Sequence, residues 1–166
     1  KALEGLLPEA YNSALATLGT HIYVSAVTNA TNIAMSGQPW RENIFWGSRT
    51  PVTTITTQTV ANASLTVNAY FRHIVSTNQF TRIGDGNIEV TVYLYKTGSG
   101  TVSIHPEVYV LSGTNLIEIG SSAPQSITGT SPTRYQWSIY TPGTNMATAE
   151  NLVWAWKVDA EAGTRT

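Results

Sequence analysis

His105 and Glu107 stand two residues apart in a run of alternating apolar and polar residues, so both side chains leave one face of one strand. An imidazole and a carboxylate at that spacing can grip a metal ion if a third ligand arrives from elsewhere in the chain. The favoured reading is a solvated pair on a wet face. His21 and His73 are distant in sequence, and no histidine has a partner at His-x-x-x-His spacing. Asp85, Asn87 and Glu89 in "GDGNIE" occupy alternate positions, as in part of a calcium loop. Calcium takes roughly six to eight oxygens, and the rest of such a loop is missing, so the stretch reads as a turn entering a strand. The chain has no Gly-x-Ser-x-Gly elbow and no phosphate loop. Spacing singles out no hydrolytic pair among its 10 acidic residues. Cysteine is absent, which removes disulfides and cysteine zinc sites. No cofactor and no catalytic residue are expected.

The aromatic residues are the stronger candidates, for contact rather than catalysis. Trp40 and Trp46 fall in an irregular stretch, where they can stack on a sugar ring, fill a partner's pocket or cover the ends of their own core. Tyr93, Tyr95 and Tyr109 fall on the wet side of the clearest stretch of the chain, "IEVTVYLYKTGSGTVSIHPEVYVLSG". There Ile88, Val90, Val92 and Leu94 point one way, Gly-Ser-Gly turns the chain, and Val102, Ile104, Val108 and Val110 resume the alternation. Read as a hairpin, it sets the three tyrosines side by side as a cross-strand cluster or as a binding surface. Pro106 cannot donate to a ladder, so the second strand is expected at an edge or at a bulge.

These residues must be held by strands. Charged residues are only 11% of the chain, against about a quarter in typical proteins, while Ser and Thr supply roughly a quarter, so hydroxyls rather than charges wet the polar faces. Hydrophobic residues at 42% of 166 residues suffice for one domain with a core. The net charge of −1 and the lack of a basic run exclude a nucleic-acid footprint, and no apolar run is long enough to span a bilayer. "LLPEAYNSALATLG" predicts one short helix over about Pro8–Leu18, with Pro8 at its start, Gly19 past its end and a stripe of Tyr11, Ala14, Leu15 and Leu18. Residues 1–19 thus form a helical stem or docking segment. From residue 20 to 166 the period changes to two. About eight to ten short strands with turn signals between them predict an all-β antiparallel sandwich. Its core is expected from Ile22, Val24, Leu65, Val67, Phe71, Ile88, Val90, Val92, Leu94, Val108, Val110, Trp137, Ile139, Leu152, Trp154 and Trp156.

From about Ala61 onward the order of features resembles a jelly-roll module of tailed-phage fibres, tail-tip proteins and other virion appendages. The residues that carry it are "SLTVNAYFRHI", "NIEVTVYLYKTGSG", "LIEIGSS", "TGTSPTRYQWSIYTP" and "NLVWAWKVDAEAGTRT". In such modules a strand ends in a Tyr-Lys pair before a Gly-rich turn, as Tyr95-Lys96 does here. A later strand opens like Arg134-Tyr135, and a further one runs like Asn151-Leu152 to Lys157. The resemblance implies a non-enzymatic virion structural protein of jelly-roll type: a fibre, an appendage or a capsid decoration. Its expected partners are itself, as a homo-oligomer with a trimer favoured, other virion proteins, and a host receptor such as a surface glycan; its place is the virion. The alternative is a carbohydrate-binding β-sandwich module of a larger protein; an enzyme with a carboxylate pair ranks last. The modules continue past the point where "GTRT" stops, and Lys1 reads as an internal residue. The expectation is a longer native chain; the alternatives are an edge at the last strand that is covered by the Thr-rich segment at 52–60 or completed by another subunit.

Overall fold

A computed structural model describes residues 23–28, 45–48, 66–76, 82–146 and 150–163, with the backbone alone at 23–28, 45–48, 71–76 and 82. The helix expected over about Pro8–Leu18 and the Thr-rich segment at 52–60 lie outside the described residues. The described residues form eleven strands: β1 (Tyr23–Thr28), β2 (Phe45–Ser48), β3 (Tyr70–Ser76), β4 (Arg82–Ile83), β5 (Gly86–Leu94), β6 (Thr101–Ser112), β7 (Asn115–Ser121), β8 (Gln125–Ser126), β9 (Thr133–Thr141), β10 (Thr144–Asn145) and β11 (Asn151–Ala162). The described part is therefore all-β. Its largest sheet runs β1-β2-β3-β11-β6-β7, with β8 also on β6; β5 pairs β9 and β10 pairs β4. Every pairing is antiparallel except that of β2 with β3, which is parallel.

Alternation places the core between the β5–β9 pair and one face of the large sheet. Tyr135, Trp137 and Ile139 of β9 point inward, and so do Val102, Ile104, Val108 and Val110 of β6 and Leu152, Trp156 and Val158 of β11. The rings of Trp137 and Trp156 are 5.2 Å apart, and Tyr135 stacks at 6.1 Å on Trp137. Trp154 is only partly buried, against the Val108, Ile139 and Leu152 cluster. Gly120 lets β7 run against β9: a Cβ there would stand 2.6 Å from the Tyr140 carbonyl oxygen and 2.8 Å from Ile139 Cγ2.

Four expectations change. First, "IEVTVYLYKTGSGTVSIHPEVYVLSG" is no hairpin. β5 pairs β9 and β6 pairs β11, β7 and β8, so the Gly-Ser-Gly turn carries the chain from one sheet to the other. Second, Pro106 is fully buried in a central strand, and its missing N–H is tolerated at a break in a neighbouring ladder. β7 pairs β6 up to Glu107, β8 begins at Ile104, and Pro106 faces the gap. Third, Val67 is 48% exposed in a turn before β3, where Asn68 takes a φ of 63° and donates to the Val158 carbonyl at 2.8 Å. Asn tolerates that left-handed conformation, and it ends the strand pattern there. Fourth, β11 is not an edge throughout: it lies between β3 and β6 from Val153 to Lys157, and beyond that, among the described residues, β6 alone pairs it as far as Ala162. The side chains of Ile22, Val24, Leu65 and Phe71 lie outside the described residues.

Truncating Trp137, 2% exposed, to Ala should cost about 3–5 kcal/mol, and Trp154→Ala distinctly less. Gly120→Ala should destabilise by about 1–3 kcal/mol because a backbone carbonyl blocks the new methyl. Urea unfolding of the three variants checks both, and a neutral Gly120→Ala would contradict the close approach of β7 to β9.

Candidate functional site

Two groups of polar residues stand out, on opposite sides of the structure. The first lies on the outward face of β5 and β9. Strand alternation sends Asn87, Glu89, Thr91 and Tyr93 outward from β5, and Arg134, Gln136, Ser138 and Tyr140 outward from β9. Register sets them opposite one another: Asn87 by Tyr140, Glu89 by Ser138, Thr91 by Gln136 and Tyr93 by Arg134. The Ser138 hydroxyl donates to Glu89 Oε1 at 2.6 Å and Gln136 Nε2 to Glu89 Oε2 at 3.2 Å. These bonds hold the Glu89 carboxyl below the usual carboxylate range. Arg134 donates to Gln136 Oε1 at 3.0 Å, and the Tyr140 hydroxyl donates to Asp85 at 2.6 Å. The result is a bonded ladder of carboxylate, amide and guanidinium with a tyrosine at each end, Tyr93 at 67% and Tyr140 at 60% exposure. Tyr95, just past β5, is 40% exposed.

Tyr93 and Tyr95 are thus outward, as expected. Tyr109 is not with them: it is 2% exposed on β6, within the large sheet. Tyr140 was the residue missed, although the alternation that puts Trp137 and Ile139 inward puts it outward. Trp40 lies outside the described residues. Trp46 lies in β2, its backbone opposite Val75, and its side chain is outside the described residues.

The second group explains why Tyr109 is buried. The face of β6 that bears His105, Glu107 and Tyr109, read above as wet, is a second interior. Tyr70, Tyr109, Leu111, Val153 and Ala155 form an apolar cluster there. Within it the Glu107 carboxylate collects donors from three strands. Tyr70 of β3 donates to Oε2 at 2.9 Å and Tyr109 donates to the same oxygen. His105 Nε2 donates to Oε1 at 3.0 Å, and Lys157 Nζ of β11 lies 3.7 Å from it and 5.9 Å from the centre of the Tyr70 ring. The other ring nitrogen, Nδ1, donates to Asp159 Oδ2 at 2.7 Å. Asp159 reaches it because the β6–β11 register shifts between Val158 and Ala160.

A histidine that donates from both nitrogens to carboxylates is an imidazolium. The bond to Glu107 raises the His105 pKa above its ordinary 6.5 against the opposing effect of burial, and Asp159 adds to the rise. Burial pushes Glu107 up, but the bonds from His105, Tyr109 and Tyr70 outweigh it and hold the carboxyl at about 2. Burial, reinforced by Glu107, pushes Tyr70 up to about 12 and Tyr109 higher still. The metal reading fails on geometry. Asp159 does arrive as a third acidic group, but at the ring nitrogen opposite Glu107, so no single ion can meet all three; no metal-holding group occurs among the described residues. Asp85 and Glu89 are likewise engaged separately, by Tyr140 and by Ser138 with Gln136.

Among the described residues no helix is long and apolar enough to cross a membrane. No model of a known protein family matches the chain, and no curated protein matches it.

The buried network predicts a pH profile. Glu107, with a lowered pKa, contributes stability that is present above its ordinary 4.5 and lost as pH falls through about 2. His105, with a raised pKa, contributes stability that is complete below 6.5 and lost as pH rises through its folded value. Stability should therefore be greatest in mild acid and decline on the alkaline side as His105 loses its proton. His105→Gln should remove that alkaline decline in thermal melts run across pH. Glu107→Gln should cost about 3–5 kcal/mol at neutral pH, since it leaves His105 and Lys157 charged beside a neutral amide.

Proposed function

We propose that this chain is a non-enzymatic structural protein of a virion, built on a jelly-roll sandwich and serving as a fibre, appendage or capsid decoration. It self-associates, with a trimer favoured, and contacts other virion proteins or a host surface glycan. The observation that carries the reading is the fit between four of the five resembling stretches and the strands. "NIEVTVYL" lies in β5, followed by the Tyr95-Lys96 pair and a Gly-rich turn in which Gly98 has a φ of 81°. "LIEIGS" lies in β7, "TRYQWSIYT" is β9 and "NLVWAWKVDAEA" is β11. The buried network points the same way. Its carboxylates and imidazole bind one another inside the sheet, a stabilising rather than a catalytic arrangement.

A second reading, a carbohydrate-binding module, draws on one specific observation: Tyr93 and Tyr140 stand exposed at the two ends of the Glu89–Gln136–Arg134 ladder. Aromatic rings beside fixed polar groups suit the faces and hydroxyls of a sugar.

Light scattering should show a trimer as the smallest species for a virion protein, and peptides of this chain should appear in mass spectra of purified particles. A chain that stays monomeric and is absent from particles would refute the first reading. On a glycan array, Tyr93→Ala or Tyr140→Ala should weaken binding about tenfold if the second reading is right. Unchanged binding in both variants would remove the outward face of β5 and β9 from consideration.

A further inference from the structure

β9 and β5 are treated very differently by the rest of the protein. The inward side chains of β9, Tyr135, Trp137, Ile139 and Thr141, are all buried. Those of β5, Ile88, Val90, Val92 and Leu94, are only partly buried although they pack on the same clusters. Burial therefore falls away toward the far side of β5. One neighbour of β9 is β5, and β7 runs close against it at Gly120. Among the described residues no strand pairs the other edge of β5.

That edge carries none of the usual devices that block pairing. β5 keeps an unbroken register with β9 from Gly86 to Leu94, so no bulge twists it away. It holds no proline and no basic residue. Its one charge, Glu89, is turned toward β9, where Ser138 and Gln136 bond it. The sequence of the strand is also self-complementary. In an antiparallel pair with a second copy, centred on Thr91, Val90 faces Val92 and Ile88 faces Leu94 on the inner side. On the outer side Thr91 meets Thr91 and Glu89 meets Tyr93, whose hydroxyl can donate to it. No like charges are opposed. Moving the centre to Val90 would set Leu94 opposite Gly86 and waste an apolar pair. The Thr91 register completes the inner row of both copies.

We propose that the free edge of β5 pairs with β5 of a second copy about a two-fold axis at Thr91, joining the two β5–β9 pairs into one continuous four-stranded sheet. The contact is isologous, and its backbone hydrogen bonds give adhesion while the inner apolar row sets the register. It does not depend on the virion reading, and it can coexist with a trimer formed through another surface.

Sedimentation and hydrogen exchange on the full chain test it. The wild type should associate with rising concentration, and the β5 amides that do not bond β9 should gain protection in step. Thr91 is exposed, so Thr91→Lys and Thr91→Glu should fold with the circular dichroism spectrum of the wild type. Each places like charges together at the axis and should weaken association about tenfold. An equimolar mixture of the two should restore it, because unlike charges then meet. The proposal is overturned if the β5 edge amides are equally protected at every concentration, which would put a strand of the same chain on that edge. It is overturned also by a wild type that never associates. An oligomer that forms unchanged in both variants and leaves the β5 amides open uses another surface, and would overturn the pairing while leaving the virion reading standing.

Discussion

The polar network on the second face of the large sheet follows from one buried carboxylate. Glu107 is 5% exposed, and an ion of that kind costs several kcal/mol to remove from water unless its oxygens are bonded. Here Tyr70, Tyr109 and His105 bond them, and Lys157 stands beside them. These partners come from β3, β6 and β11, so the register of three strands is tied to the needs of one side chain. A slip of one residue in β3 or β11 would turn Tyr70 or Lys157 to the opposite face and leave the charge without them. The apolar cluster of Leu111, Val153 and Ala155 then excludes the water that could replace them.

The same constraint explains the shift at Asp159. An imidazolium inside a protein needs compensation at both nitrogens, and Glu107 serves only one. The register shift after Val158 brings Asp159 to the other. Among the described residues, His105 and Lys157 then balance Glu107 and Asp159, two charges of each sign. A buried network that is fully bonded specifies one arrangement, whereas one missing a member is worse than an apolar core.

Glu89 shows how much position matters. It too is a strand glutamate with a lowered pKa, held by Ser138 and Gln136. Because it stands in solvent, those bonds stiffen a surface ladder and anchor nothing inside. The outward face of β5 and β9 is therefore ordered by bonds that solvent could replace. The interior face of the large sheet has the opposite character, since few substitutions there leave its charges paired.

By itself the sequence determined the local period and hence the strands. It placed β5, β6, β7, β9 and β11, and the inward rows that include Trp137, Ile139, Leu152 and Trp156, because alternation is a property of neighbouring residues alone. It also put Tyr93 outward, and by the same rule could have put Tyr140 there. Only the tertiary structure decided which strands pair. The Gly-Ser-Gly turn has the composition of a hairpin yet joins two sheets, since pairing depends on partners far along the chain. Whether a polar face is wet was equally beyond local reading. A row of His, Glu and Tyr looks solvated until Tyr70, Lys157 and Asp159 are brought to it from 37 to 54 residues away, and only then can it be buried at tolerable cost.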